Sequence, residues 1–259
     1  MSNLTPANSA IPLASIKIKT SEIRDSISRI STGLRVLGGN DAGSQVMANT
    51  LNAHAKSFQA ASRNNQAGID LLTFVESALT EMSNLATRLK EVGAADDLST
   101  NSTSDTAALD AEATYLSDTI DAIVSSLTYN SLSVLGTSAK TFNIGYNDAS
   151  NTHAIKTTTG ITATNISDAT NADTSADVTI GEITQSLGNV QGNYQSLEGY
   201  RNVAESSSAH LLQAASNLQD TEFAVETAKL TKNAIVRNYA LAMVAQVNDK
   251  ELDQLRILA

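Results

Sequence analysis

The chain has 259 residues, no cysteine, no tryptophan, 4% aromatics and two prolines, Pro6 and Pro12. It therefore cannot form disulfides, thiolate metal sites or cysteine nucleophiles, and beyond residue 12 no proline ring interrupts a helix. The net charge of −10 is unevenly spread, with +3 in residues 1–36, +2 in residues 229–259 and −15 between them; with no run of basic residues, the chain is not expected to bind nucleic acid.

Hydrophobic residues make up 41% of the chain, enough for a core built from Leu, Ile, Val and Ala. The opening "MSNLTPANSAIPLASIKIKT" has no basic region ahead of an apolar stretch, so a cleaved secretory signal is not expected. Ile16, Ile23, Ile27, Ile30 and Leu34 recur at helical spacing and predict an amphipathic helix suited to a coiled coil. A glycine-rich stretch with Gly33, Gly38, Gly39 and Gly43 interrupts it. A second helical pattern starts near Gln45 and is clearest at Leu72, Val75, Leu79, Met82, Ala86 and Leu89.

"VGAADDLSTNSTSD" reads as a turn whose Ser, Thr, Asn and Asp residues cap the flanking helices. Leu109, Ala113, Leu116, Ile120, Ile123 and Leu127 predict a third helix. From about 140 to 162, Thr, Ile and aromatics around "GYNDASN" predict a β-hairpin. The stretch from about 162 to 180 is rich in Thr, Asp, Ala and Asn and predicts an exposed connector. Helical periodicity returns at Val190, Tyr194 and Leu197 and is expected to run to Leu258 with little interruption. The most apolar segment, "YALAMVAQV", is too short to cross a membrane, so no membrane association is expected.

Helices at both ends with a hairpin near the midpoint predict a mainly α fold. It is expected to be a long antiparallel coiled-coil rod in which the N- and C-terminal segments pair. Two helices cannot cover the whole of each apolar stripe, so further copies of the chain are expected to cover the rest.

No catalytic or cofactor motif is found. His54, His153 and His210 lack metal-ligand spacing, and Asp96 and Asp97 lie in a turn where acids stay hydrated. No phosphate-binding glycine motif or nucleophile elbow occurs, so neither an enzyme nor a cofactor is expected.

"ISRISTGLRVLGGNDAGSQVMANTL" resembles the N-terminal signature of bacterial flagellins through Ile30, Ser31, Gly33, Leu34 and Arg35, then Asn40, Asp41, Ala42, Gly43, Ala48 and Asn49. "ASRNNQAGIDLLTFVESALTEMSNLATRLKEV" is similar to the next flagellin block through Ala61, Ser62, Arg63, Asn64, Gly68, Ile69, Glu76, Ala78, Leu79 and Glu81. The ending from "AASNLQDTEFAVE" onward resembles the flagellin C-terminus, although its last residues, "QVNDKELDQLRILA", are more charged than is usual in the family.

The resemblance implies a minimal flagellin. Residues 1–37 would form an inner-core helix paired with 219–259, and 38–218 the coiled-coil domain. It implies a self-assembling subunit of the swimming filament, outside the cell, exported by the flagellar type III apparatus without a cleaved signal. Implied partners are other copies, an export chaperone for the C-terminal helix, a filament cap protein, hook–filament junction proteins and an innate immune receptor.

The implied assembly residues are Ile23, Ile27, Ile30, Leu34, Arg35, Leu241, Val244, Leu252, Leu255 and Leu258. Gly33, Gly38, Gly39 and Gly43 would form the hinge between helical layers, and Arg88, Glu91 and Glu112 match the receptor-contact region by position. The alternatives are a hook–filament junction adaptor and a signalling coiled coil; the chemoreceptor-like reading lacks an anchor and does not account for the glycine-interrupted signature.

Overall fold

The computed structural model describes residues 7–35, 42–149, 151–162, 166 and 168–258. Five helices carry most of the chain: α1 Ala7–Thr32, α2 Ala42–Asp96, α3 Thr103–Ser126, α4 Ala172–Gln219 and α5 Phe223–Leu258. Between α3 and α4 lie the short strands β1 Thr128–Tyr129 and β2 Leu132–Ser133, the longer strands β3 Lys140–Gly145 and β4 Thr152–Thr158, and a 3-10 turn at Ala169–Asn171. The chain divides into two compact units. One comprises the described residues up to Ala53 and from His210 onward; the other is His54–Ala209.

In the unit His54–Ala209, α2 and α4 run antiparallel with a constant offset. As α2 advances through Ser62, Gln66, Glu76 and Lys90, its polar partners on α4 retreat through Glu205, Arg201, Gln191 and Asp177. The inward face of α2 is the stripe Leu72, Val75, Leu79, Met82, Ala86 and Leu89, all fully buried, as its spacing predicts. The third helix contributes Ala113, Ile120 and Val124 to the same core, while Leu109, Leu116 and Ile123 pack at its edge.

The first half of α4 buries Ala172, Ala176, Thr179, Ile183 and Ser186 at steps of four and three. Composition predicts a connector here to about residue 180, yet the helix starts at Ala172. Apart from Ile183 its inward residues are small and weakly hydrophobic, so its helical period carries little hydropathy signal. Small side chains also permit close approach. A Cβ at Gly93 would lie 2.5 Å from the Asp173 backbone nitrogen, and one at Gly68 would lie 2.7 Å from Leu197 Cδ1.

Ser102 caps α3 with a reciprocal box. Its hydroxyl accepts from the Asp105 N–H, and the Asp105 carboxylate accepts from the Ser102 N–H at 3.0 Å. Strands β1 and β2 form a hairpin whose two turn residues, Asn130 and Ser131, both have positive φ, the geometry of a tight type I′ turn. Two-residue strands have no period to detect, so the sequence pattern does not reveal this hairpin. The expected larger hairpin is present as β3 paired antiparallel with β4, with Phe142 opposite Ile155. Tyr146 stacks on Tyr200 of α4 at 4.4 Å, His153 meets the same ring edge-on, and Asp148 pairs with His54 of α2 at 2.6 Å.

The glycines in this unit have opposite requirements. Gly93→Ala drives a Cβ into backbone that cannot move aside, and should lower stability by about 1–3 kcal/mol despite alanine's better helix propensity. In α4, a Cβ added at Gly188 would meet nothing within 4 Å; Gly188→Ala should raise stability by about 0.5–1 kcal/mol. Urea unfolding of each full-length variant followed by circular dichroism measures both signs.

Candidate assembly surface

In the unit of the chain ends, α1 closes on Gly33, whose φ of +71° is a left-handed value that glycine adopts without a Cβ penalty. Leu34 then forms an antiparallel bridge with Asp220. The Arg35 N–H donates to Gln219 O at 2.6 Å and the Thr221 N–H donates to Gly33 O at 3.0 Å. These bonds use backbone groups at the end of α1 and at the α4–α5 junction together. The long C-terminal helix expected from the sequence is therefore broken between Gln219 and Phe223. The signal is present in "QDTEF", since Asp and Thr are favoured where a helix begins.

Beyond this joint α1 packs antiparallel on α5. On α1 the covered or half-covered positions include Ile16, Lys19, Ile23, Ser26 and Ile30; on α5 they include Glu226, Leu230, Asn233, Arg237, Ala240 and Val244. Both sets alternate steps of three and four, the spacing of a coiled-coil seam. Many of these seam residues are polar. Glu226 is only 4% exposed and Ser26 3%; the Ser26 hydroxyl donates to Glu226 Oε1 at 2.8 Å, with Arg29 at 3.5 Å and Lys229 at 3.4 Å from the same carboxylate. Burial pushes this carboxyl upward, but the Ser26 hydroxyl, Lys229 and Arg29 outweigh it and hold Glu226 below its ordinary range.

Many large apolar residues lie outside the seam. Ile11, Leu13, Ile18 and Ile27 on α1 are exposed, as are Ile235, Tyr239, Leu241, Met243 and Leu252 on α5. Such concentrated apolar exposure on paired helices marks a surface for association.

The expected assembly residues divide between the two faces. Ile27, Leu34, Leu241 and Leu252 are exposed, whereas Ile23 is buried in the seam and Ile30 and Val244 are half-covered. Arg35 is exposed and engaged through its backbone. Leu255 and Leu258 lie on α5, but their side chains are outside the described set. Of the glycines, Gly33 makes the turn and Gly43 lies in the first turn of α2; Gly38 and Gly39 fall outside the described residues.

In the other unit, Arg88 of α2 binds Glu112 of α3 at 2.8 Å and Glu91 at 3.0 Å, so the three residues matched by position form one exposed ion-pair cluster. These hydrogen bonds, to Glu112 first and then Glu91, raise the Arg88 pKa above its ordinary value. Among the described residues, no cluster of His, Cys, Asp and Glu could hold a metal ion, and no helix is long and apolar enough to cross a membrane.

The family model for the bacterial flagellin N-terminal helical region matches residues 2–140. A flagellin of Halalkalibacterium halodurans is 27% identical, with 93% of each chain covered. Flagellin FlaB2 of Treponema pallidum is 26% identical over 91% of this chain and 92% of that protein. A solved structure of Bacillus cereus flagellin is 29% identical, with a TM-score of 0.48, covering 55% of this chain and 88% of that one.

Because the folded-state pKa of Glu226 is depressed, its contribution to the α1–α5 pair is fully present above the ordinary glutamate range. It is lost as pH falls through the depressed value. Glu226→Gln should weaken the pair by about 1–3 kcal/mol at neutral pH, the cost of disturbing a buried charged hydrogen bond. The difference between wild type and variant should shrink on acidification below that window. Thermal melts of both proteins, monitored by far-UV circular dichroism from pH 7 to pH 3, measure it.

Proposed function

The chain belongs to the bacterial flagellin family, a family of structural filament subunits, and we propose that it builds the flagellar filament through the outward apolar faces of α1 and α5. The observation that carries this reading is the amount of large apolar surface the terminal pair leaves uncovered: Ile11, Ile18 and Ile27 on α1 and Ile235, Tyr239, Leu241, Met243 and Leu252 on α5 are exposed. A pair of this kind has much of its apolar surface still in water. Burial of those side chains against other copies supplies a driving force for assembly, at about 25 cal/mol for each Å² removed from water.

Ile23, Ile30 and Val244 shape the pair from within, and Ile27, Leu34, Leu241 and Leu252 make the contacts between copies. Arg35 and Gly33 hold the joint to the α4–α5 junction. The reading as a junction adaptor is less well supported, because the relatives aligned over more than 90% of both chains are flagellins.

The filament lies outside the cell, and the subunit reaches it through the flagellar type III apparatus. Before assembly, the exposed face of α5 needs a cover, which suits a cytoplasmic chaperone. A cap protein at the growing tip and junction proteins at the base complete the set of partners. The exposed cluster of Arg88, Glu91 and Glu112 is the surface offered to an innate immune receptor.

Purified full-length protein, monomerised by mild acid or heat and returned to neutral pH with short filament seeds, should extend them into long tubes visible by electron microscopy. Leu241→Asp and Leu252→Asp replace exposed side chains, so the folded monomer should keep its melting temperature while elongation is lost. Removal of residues 241–259 should also stop elongation. Wild-type protein that never extends seeds would favour the adaptor, and unimpaired elongation of both Asp variants would remove α5 from the interface.

A further inference from the structure

The chain has no cysteine and no tryptophan, so its four methionines carry its most easily oxidised side chains. Met1 lies outside the described residues. Met82 is fully buried in the core face of α2, whereas Met47 and Met243 are 58% and 59% exposed. An oxidant therefore reaches these two thioethers with nearly equal ease. Their surroundings differ. Met47 stands near the start of α2, outside the α1–α5 pair. Met243 stands on α5, where Val236 and Tyr239 precede it by seven and four residues and are also exposed, so the three share one outward apolar face.

Hydrogen peroxide transfers one oxygen atom to such a thioether. The sulfur lone pair attacks one peroxide oxygen, the O–O bond breaks as the S–O bond forms, and the transferred oxygen gives its proton to the departing hydroxide, which leaves as water. Sulfur is oxidised by two electrons and the peroxide is reduced by two. The product is a sulfoxide, a polar acceptor where an apolar side chain stood. On the free subunit water solvates that oxygen at little cost. Against the apolar side chains of another copy it must be desolvated, and burying a polar group without a partner is unfavourable.

We propose that Met243 is an oxidation-sensitive position at the contact between copies: conversion of its thioether to the sulfoxide by a peroxide withholds the free subunit from assembly. The proposal rests on the filament reading and adds to it a means of regulation. Oxidation of the equally open Met47 has no such effect. The change is reversible, since sulfoxide reductases return the thioether. Assembly itself covers Met243, so the vulnerable species is the free subunit.

The test is the critical concentration at which full-length protein extends untreated wild-type seeds, after the free subunit has met hydrogen peroxide and the peroxide has been removed. Peptide mass spectrometry reports the sulfoxide at each methionine. Conversion of Met243 should raise the critical concentration roughly tenfold. Met243→Leu keeps an apolar side chain of similar volume, so it should elongate as the wild type does and be insensitive to peroxide, whereas Met47→Leu should stay as sensitive as the wild type. Met243→Gln carries a polar group without any oxidation; it should raise the critical concentration to a similar degree while circular dichroism shows an unchanged fold. In assembled filaments Met243 should gain its oxygen much more slowly than in the free subunit. A fully converted subunit or a Met243→Gln variant that elongates normally overturns the proposal. So does peroxide sensitivity that survives in Met243→Leu or disappears in Met47→Leu, or oxidation of Met243 as fast in the filament as in the free subunit. Each of these leaves the filament reading standing as long as the untreated wild type extends its seeds. Failure of the untreated wild type overturns the filament reading and this proposal with it.

Discussion

The carboxylate of Glu226, covered between α1 and α5, sets the character of the terminal pair. A buried charge contributes little net stability, because its desolvation offsets much of what its partners return. Its value is positional: Ser26 and Arg29 of α1 meet it in only one register of the two helices, while Lys229 reaches it from α5 itself. The helices are aligned through polar groups in a seam that also holds Ile23 and Ala240, and leave many large apolar side chains, among them Ile18, Ile27, Ile235 and Leu241, outside it. Had the seam been Leu and Ile throughout, the pair would be stable alone and would have little apolar surface left for other copies.

The joint at Gly33 and Asp220 makes that arrangement possible. Had the C-terminal helix continued without a break, Asp220 and Thr221 would be inside it and could not pair with Leu34 and Gly33. The left-handed turn at Gly33 and the gap before Phe223 place two helix ends side by side and satisfy their backbone groups mutually. In the other unit a different device fixes register. The ladder of polar pairs between α2 and α4 advances step for step, and Gly68, Gly93 and the small residues of α4 let those helices approach closely.

The parts of the fold that can be read from the sequence are those where burial is carried by large side chains. Leu72 through Leu89 on α2 show the period outright, and the β3–β4 hairpin shows its Thr, Ile and aromatic residues around a polar turn. The start of α4 is hidden because Ala172, Ala176, Thr179 and Ser186 bury a face without raising hydropathy. The break at Asp220 shows in "QDTEF" but is outweighed by helical spacing that continues on both sides of it. For the candidate surface, periodicity places Ile23 and Ile27 on one stripe, whereas the structure puts Ile23 inside and Ile27 outside. A stripe wide enough to serve two interfaces cannot be divided from sequence without knowing which polar residues share it. Glu226 and Ser26 give no signal at all, being 200 residues apart in the chain.

If the terminal helices depend on other copies for the burial of their apolar faces, their stability must differ between the free and the assembled protein. Hydrogen exchange of backbone amides, compared between monomer and assembled filament, measures this directly. Amides of α1 and α5 should exchange much faster in the monomer than those of α2 between Leu72 and Leu89, and should become comparably protected in the filament. Terminal amides already as protected in the monomer as those of α2 would contradict that dependence, because the α1–α5 pair would then be stable without its outer contacts.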